Sequence, residues 1–556
     1  MSKKINITVN GISKKFESPT TINVVFKEML SEEECENALA ALFNGNSVEL
    51  YTKIEEDATL IPIYFDSDEG SRVYERSLSF LTLAALNNLY PTKQFEVEDA
   101  VGKSIAFNIK NKALTHAEIY EIEKEMWRLV KLALPITRHS WTVDEAIKFF
   151  TQDGQHDKVD LYSYRKTSKI TMYCLDGIYD YFYGSMVQNT SYIKAFKLTS
   201  KYPGMLVSFP KDSSMKIEIS HIGHKKQYRV FAESQRWCEI LNATNVVDVN
   251  RMIESGKILD FIRVNEALHD SSIANIATDV IHKRAKIVLI FGPSCSGKTT
   301  FTNRLAVHLK VHGLSPALVS LDNFYKNRDT LPIDENGEID FETIDALDID
   351  CIVDCFDRLL AGEEVDMPRF SFKTGKRKSK SYKLKLEPNQ PVLVEGIHAM
   401  NDKITSMLPE QLTYGIYVSA LTCIKLDDHN RIHTSDARLL RRIVRDMQFR
   451  GTPPEETINM WKSVKAGEEK WIYPNQEKAD IMFNSTLHYE LPLLHSFIYD
   501  KLEKIDVTER TYIPARRLVK SLNYFLPIGD DFIREIPPLS ILREFIGGST
   551  FYTGRD

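Results

Sequence analysis

Apolar and polar positions alternate at the start of the chain. Ile5-Asn-Ile7-Thr-Val9 places its aliphatic side chains on one face, and Asn10-Gly11 follows as a turn signal, so a β-hairpin is predicted. Asn23–Leu30 and Glu33–Leu42 read as helices and Leu60–Phe65 as another strand, which gives a small mixed sheet with a helix across it. Residues 246–283 carry Val247, Met252, Ile253 and the stretch Ile258–Ile262 as apolar positions of a helical connector. A different pattern begins at Lys286-Ile-Val-Leu-Ile-Phe291, a continuous β-branched run that suits a strand buried on both faces. Phe301, Leu305 and Leu309 then recur at helical spacing, and Ala317-Leu-Val-Ser-Leu321 and Pro391-Val-Leu-Val-Glu395 are further short apolar runs. Alternation of this kind predicts a parallel α/β sheet. After residue 505, Pro514, Pro527, Pro537-Pro538 and Gly547-Gly548 punctuate a tail. Its Phe525, Leu526, Ile528, Phe532 and Ile533 predict docking rather than disorder.

The chain has 556 residues, too long for one core, and three or four domains are expected. Apolar content of 43% and charged content of 27% are those of an ordinary globular protein. A net charge of −6 argues against a general coat for nucleic acid, while allowing a local basic patch. Seven scattered cysteines without a Cys-x-x-Cys pair suggest neither a disulfide framework nor a zinc knuckle. Met-Ser-Lys-Lys-Ile-Asn has no signal-peptide pattern, and no apolar run approaches ~18 residues, so a cytoplasmic protein with no membrane contact is expected.

The chemistry centres on Gly292-Pro-Ser-Cys-Ser-Gly297-Lys298-Thr299, which fits a phosphate-binding loop between a strand and a helix. Gly292 and Gly297 permit the tight turn that points N–H groups inward. The helix that follows offers unpaired N–H groups and the positive end of its dipole. Lys298 is placed to reach the β- and γ-phosphates and Thr299 to put its hydroxyl on Mg²⁺. Asp322 ends the second strand, where ligands of open parallel sheets bind, and a carboxylate there can take a proton from an attacking hydroxyl. Glu395 ends another strand near the loop and can hold Mg²⁺ directly or through water. Arg438, Arg441, Arg442 and Arg445 fall at i, i+3, i+4 and i+7, a guanidinium stripe suited to a triphosphate. The pairs His308/His312 and His429/His433 have metal-compatible spacing but no third ligand, and read as surface histidines.

Five segments in order resemble the uridine kinase and phosphoribulokinase family: the phosphate loop, Ser320-Leu-Asp322-Asn-Phe324-Tyr325, Asp340-Phe-Glu342-Thr-Ile-Asp345, Pro391-Val-Leu-Val-Glu395-Gly396-Ile397, and Asp436-Ala-Arg438-Leu-Leu-Arg441-Arg442-Ile-Val-Arg445-Asp446. The resemblance implies that Asp322 is the base, Glu395 is Mg²⁺-associated and the arginines form a lid. It also implies that Glu342 stands for the ribose-binding aspartate. Pro368-Arg369-Phe370-Ser371-Phe372-Lys373-Thr374-Gly375-Lys376-Arg377 aligns to the pyrimidine-reading segment, with Phe370 in place of the tyrosine and Gly375 in place of the histidine. The base-reading hydrogen bonds are therefore missing, while Phe370 can still stack.

Earlier in the chain, Phe43-Asn-Gly45, Val48-Glu-Leu50, Ile54-Glu-Glu-Asp-Ala58 and Ile61–Phe65 resemble the ubiquitin-like TGS domain of threonyl-tRNA synthetases. His116–Met126, Leu134-Pro-Ile136, Glu145-Ala146 and Ile193–Leu198 resemble the editing domain that follows there. The polar pairs of that editing site are absent: Ser77 and Leu81, then Phe182 and Met186, stand at their positions. Editing chemistry is not expected, and this half reads as a retained scaffold or regulatory module.

Together these readings predict an α/β protein: a P-loop kinase with a parallel sheet flanked by helices, preceded by a small ubiquitin-like α+β domain and an α+β editing-like domain. The expected boundaries are 1–65 (TGS-like), 66–245 (editing-like), 246–283 (helical connector), 284–505 (kinase) and 506–556 (docking tail). The expected activity is transfer of the ATP γ-phosphate to the 5′-hydroxyl of a nucleoside, with ATP and Mg²⁺ as cofactors. Asp322, Lys298, Arg441 and Arg445 are the expected catalytic residues. ATP is expected on Gly292, Pro293, Ser294, Cys295, Ser296, Gly297, Lys298, Thr299 and Thr300, with Arg438 and Arg442. The nucleoside is expected on Tyr325, Glu342, Phe370 and Arg377, and Mg²⁺ on Thr299 and Glu395. A homo-oligomer is expected. The alternatives are a kinase for another hydroxylated sugar, and a regulatory protein whose first half binds RNA or a small molecule with the nucleotide site as a switch.

Overall fold

The computed structural model describes residues 3–165, 168–218, 225–331, 342–371 and 374–551. The predicted hairpin is present, with Lys4–Val9 antiparallel to Ile12–Glu17. Its turn uses Asn10 and Gly11 at φ of 50° and 82°, the left-handed pair that matches strand twist in a two-residue loop. Three further strands complete this sheet, in the order Ile12–Glu17, Lys4–Val9, Ala58–Tyr64, Ala38–Phe43, Asn46–Val48. The helix expected over Glu33–Leu42 is corrected here. Helix Glu32–Asn37 ends early and Ala38–Phe43 pairs with Ala58–Tyr64. Ala-Leu-Ala-Ala-Leu-Phe favours helix by propensity, but a nearly fully buried run inside a sheet gains more from the ladder and from packing on both faces.

The next region holds a four-stranded sheet and a three-stranded sheet, with the long helix Asp68–Leu89 between the chain's first sheet and these two. The positions aligned to the lost editing pairs lie in the apolar core. Ser77, Leu81, Phe182 and Met186 are buried, and the Phe80 and Phe182 rings lie 5.0 Å apart. The Ser77 hydroxyl donates to the Val73 carbonyl at 2.7 Å and accepts from Val187 N–H at 3.0 Å, so its polar atom is satisfied internally.

Helices Val246–Glu254 and Ile258–His282 lead into a five-stranded parallel sheet. Its order is Ala317–Ser320, Val392–Glu395, Ile287–Phe291, Thr413–Ser419, Ile481–Asn484. Ile290 and Ser320 both register with Glu395, which brings the ends of three strands to one edge. Ile287–Phe291 is central and fully buried, as its uninterrupted apolar run requires.

The two halves interlock through residues 428–436. Asn430 Nδ2 donates to the Tyr181 carbonyl at 3.0 Å, Lys110 pairs with Asp428 at 2.7 Å, and Arg72 pairs with Asp436 at 2.9 Å. His429 contacts Asp180 in this seam, and His433 packs partly buried among Arg72, Arg431 and Arg517, so the surface placement expected of this histidine pair is corrected. The tail docks: Ile541, Leu542 and Phe545 are fully buried, and the hydroxyl of Tyr524 bonds that of Tyr181 at 2.7 Å. No described helix is long and apolar enough to cross a membrane.

Candidate active site

The loop helix Lys298–Val311 begins directly at the second loop glycine. Gly297 takes φ 81° and Gly292 φ 153°, and a Cβ on Gly292 would stand 1.9 Å from the Val418 carbonyl oxygen. Only glycine allows this approach of loop to sheet. Cys295 is also left-handed, at φ 59°, which turns successive amides toward one concavity. Lys298 folds back over its own loop, donating to the carbonyls of Gly292 and Pro293 at 3.0 Å each.

Asp322 and Glu395 stand at the carboxyl ends of neighbouring strands. Ser320 Oγ donates to Glu395 Oε1 at 2.7 Å and fixes that carboxylate. Loss of bulk water and the charge of Asp322 push the Glu395 pKa up to about 7, against the opposing pull of Ser320 and Lys298. Asp322 keeps an exposed surface at the strand end. Desolvation of its carboxyl by the surrounding protein raises its pKa, while Lys298, Arg450 and Arg445 pull it down. Lys298, Asp322, Glu395 and Arg445 thus lie within electrostatic reach of one another. Among the described residues no group of three or more His, Cys, Asp or Glu forms a metal cage. Two carboxylates beside a phosphate loop are the sparse oxygen set that suits Mg²⁺ carried on nucleotide phosphates.

The arginine helix Thr434–Arg450 divides its stripe. All five N–H donors of Arg441 are committed: to Glu490 twice, to the Cys295 carbonyl at 3.2 Å, and to Ser485 Oγ and carbonyl at 3.0 and 2.9 Å. It is fully buried beneath the loop, and its expected catalytic role is corrected to a structural one. Arg438 is likewise committed, bidentate to Glu468 at 2.5 and 2.7 Å, with further bonds to the Ser294 carbonyl and Tyr473 Oη. Its expected role as an ATP ligand is corrected for the same reason. Arg442 reaches Ser294 Oγ at 3.1 Å, and Arg445 shares Asp446 with Arg450. Arg442 and Arg445 are the members of the stripe that keep some exposure at the loop.

On the acceptor side, the Tyr325 and Phe370 rings stand 5.7 Å apart, and Phe370 N–H donates to Asn323 Oδ1 at 3.3 Å. Arg377 is tied to the carbonyls of Phe324 and Tyr325 at 3.2 Å and to Asp348 at 3.1 Å. It braces the Asp322 segment and keeps part of its side chain at the surface. Glu342 packs against Gly467, where a Cβ would approach its own Cβ to 2.4 Å. Gly375, at φ +67°, faces Arg328, whose Cδ would meet a Cβ there at 2.4 Å. Asp340 and Phe341, and Phe372 and Lys373 of the segment aligned to the base reader, lie outside the described residues.

Sequence reasoning missed three acids. Glu468 accepts from Ser294 N–H at 2.9 Å, Glu490 holds Arg441, and Glu544 accepts from Thr300 Oγ1 at 2.7 Å and Thr300 N–H at 3.3 Å. They lie 174, 49 and 244 residues from their partners, and no local motif marks them.

A family model for the "Phosphoribulokinase / Uridine kinase family" matches residues 287–491. A uridine kinase of Staphylococcus haemolyticus is 32% identical over 197 residues, 35% of this chain and 86% of that protein. Toward the N-terminus, a threonine–tRNA ligase of Lawsonia intracellularis is 30% identical over 173 residues, 31% of this chain. The chain spans only 27% of that ligase. A solved structure described as a possible uridine kinase from Bacillus stearothermophilus aligns to 36% of this chain and 89% of its own, at 16% identity and a TM-score of 0.25. The strand–glycine loop–helix unit and the match to most of a uridine kinase lead to one conclusion: the chain belongs to the phosphoribulokinase and uridine kinase family, as a P-loop small-molecule kinase joined to a region related to threonine–tRNA ligase.

Proposed function

We propose that this kinase transfers the γ-phosphate of ATP to the 5′-hydroxyl of a nucleoside, with residues 284–505 as the kinase unit. The observation that carries the reading is the convergence of Lys298, Asp322 and Glu395 at the carboxyl edge of the parallel sheet, beside the phosphate loop. Lys298 and the loop amides hold the β- and γ-phosphates once the ammonium releases its two loop carbonyls. Thr299 and Glu395 would hold Mg²⁺, which when bound would neutralise phosphate charge. Asp322, at the strand end within electrostatic reach of Lys298, accepts the hydroxyl proton. Arg442 and Arg445 supply positive charge to the transferring group. Tyr325 and Phe370 form an aromatic wall for the acceptor, and Glu342 is the carboxylate for its ribose hydroxyls. Catalysis is then positioning and electrostatics. Uridine is the acceptor named for the kinase relatives, but Phe370 and Gly375 remove the hydrogen bonds that would read its base, so selectivity among nucleosides is relaxed.

The test is ADP release from Mg-ATP with a panel of nucleosides, ribulose phosphate, and no acceptor. Stimulation by a nucleoside, lost in Lys298→Ala, supports the reading. Stimulation by ribulose phosphate alone, or ADP release indifferent to every acceptor, overturns it.

A further inference from the structure

The phosphate cradle in this structure is engaged by the chain's own carboxylates. Glu468 takes the N–H of Ser294 and is neutralised by the bidentate Arg438, both fully buried, so it belongs to the fixed scaffold. Glu544 is different in kind. It sits on a four-residue turn, Arg543–Ile546, near the end of the described chain, and it takes both the amide and the hydroxyl of Thr300. Thr300 is the residue directly after the Lys-Thr of the loop, in the first turn of the loop helix. An amide there points at whatever anion lies on the helix N-terminus, and its hydroxyl reinforces the same position. A carboxylate oxygen 2.7 Å from that hydroxyl takes up the donors that a phosphate oxygen on this helix N-terminus would need.

The neighbouring contacts agree. Ile541 closes over Gly297, with its Cγ2 2.6 Å from where a Cβ would stand. Phe545 lies under the Arg441 guanidinium at 5.1 Å, and Arg543 pins the turn by donating to the carbonyls of Ile533 and Ile536. Lys298 and Thr299 remain half-exposed on the other side. The tail therefore covers the start of the loop helix, while the side that faces Asp322 and Glu395 stays open. Glu544 also adds negative charge to the site, raising the Glu395 pKa and steadying the Arg445 cation.

We infer that the C-terminal segment around Glu544 is an autoinhibitory plug that competes with nucleotide for the phosphate loop. Nucleotide binding then requires the Ile541–Ile546 turn to leave Gly297 and Thr300. Any partner that captures the tail's apolar Ile541, Leu542 and Phe545 would open the kinase. The inference rests on nucleotide binding at this loop, whatever the acceptor.

The test uses the full chain and a fluorescent ADP analogue with Mg²⁺. Glu544→Gln keeps size and an acceptor but removes the charge that imitates phosphate. It is expected to bind the analogue about tenfold more tightly than the wild type, or to bind when the wild type does not. In the wild-type chain, saturating Mg-ADP is expected to speed amide exchange across residues 536–551, a reading that needs no variant. Equal affinities together with unchanged or increased protection of the tail would overturn the plug while leaving the nucleotide site intact. Absence of binding by both proteins would overturn the nucleotide site and the plug together.

Discussion

Arg441 and Glu490 form a buried bidentate ion pair beneath the phosphate loop, with N···O distances of 2.5 and 2.6 Å, and the same guanidinium supports the Cys295 carbonyl. A cation that looks like part of a phosphate clamp in the sequence instead holds the loop in shape from behind. Removing one partner leaves a buried charge uncompensated. Arg441→Met is accordingly expected to cost about 3–5 kcal/mol of stability. Denaturant unfolding checks this, and a variant of wild-type stability with only slowed turnover would restore the catalytic reading.

Asp322→Asn keeps the size and shape of the side chain at the strand end but removes the proton acceptor. Nucleotide affinity is expected to stay within a few-fold of wild type, while turnover falls by roughly 10²–10⁴. Single-turnover kinetics beside a binding titration separates the two. Undiminished turnover would remove Asp322 as the base.

Four histidines are held neutral by burial. His398 and His488 are lowered to about 4, and His269 and His433 well below their ordinary value. Their folded pKa values lie below the unfolded value near 6.5, so the stability they allow is present above that pH and is lost as pH falls toward 4 and below. Denaturation midpoints at pH 7.5, 6 and 5 should fall steadily. His398→Phe, which keeps an aromatic ring beside Trp471, should flatten that fall by up to about 1.4 kcal/mol per pH unit. A slope identical to wild type would show that His398 takes up its proton in the folded protein as readily as in the unfolded chain.

Leu81 is fully buried at a position aligned to a lost editing histidine. Leu81→His would place a polar ring in an apolar core and is expected to destabilise the protein by about 2–5 kcal/mol. Thermal unfolding measures it. A stable variant that hydrolyses an aminoacyl ester would mean that the site is masked rather than filled.

The sequence carried the local geometry of the kinase half. Gly292 and Gly297 need no tertiary partner to be recognised, because a tight turn between an apolar strand and a helix is written in adjacent residues. The hairpin at Asn10-Gly11 was legible for the same reason. The periodicity of Arg438, Arg441, Arg442 and Arg445 also gave their helix face, but not what lies across it. Ala38–Phe43 failed as a helix because its conformation depends on strands that follow it in the chain.

By itself, then, the sequence determined the phosphate loop, the strand-end acids Asp322 and Glu395, and the apolar or small residues Ser77, Leu81, Phe182 and Met186. These are facts about neighbouring residues and residue types. Only the tertiary structure decided which arginines are tied into the scaffold, since Glu468 and Glu490 approach from distant segments and bind two of them. It also decided that Thr300 meets Glu544 across 244 residues. A buried charge takes its role from the partner that compensates it, and the partner is chosen by the packing of the chain rather than by its order.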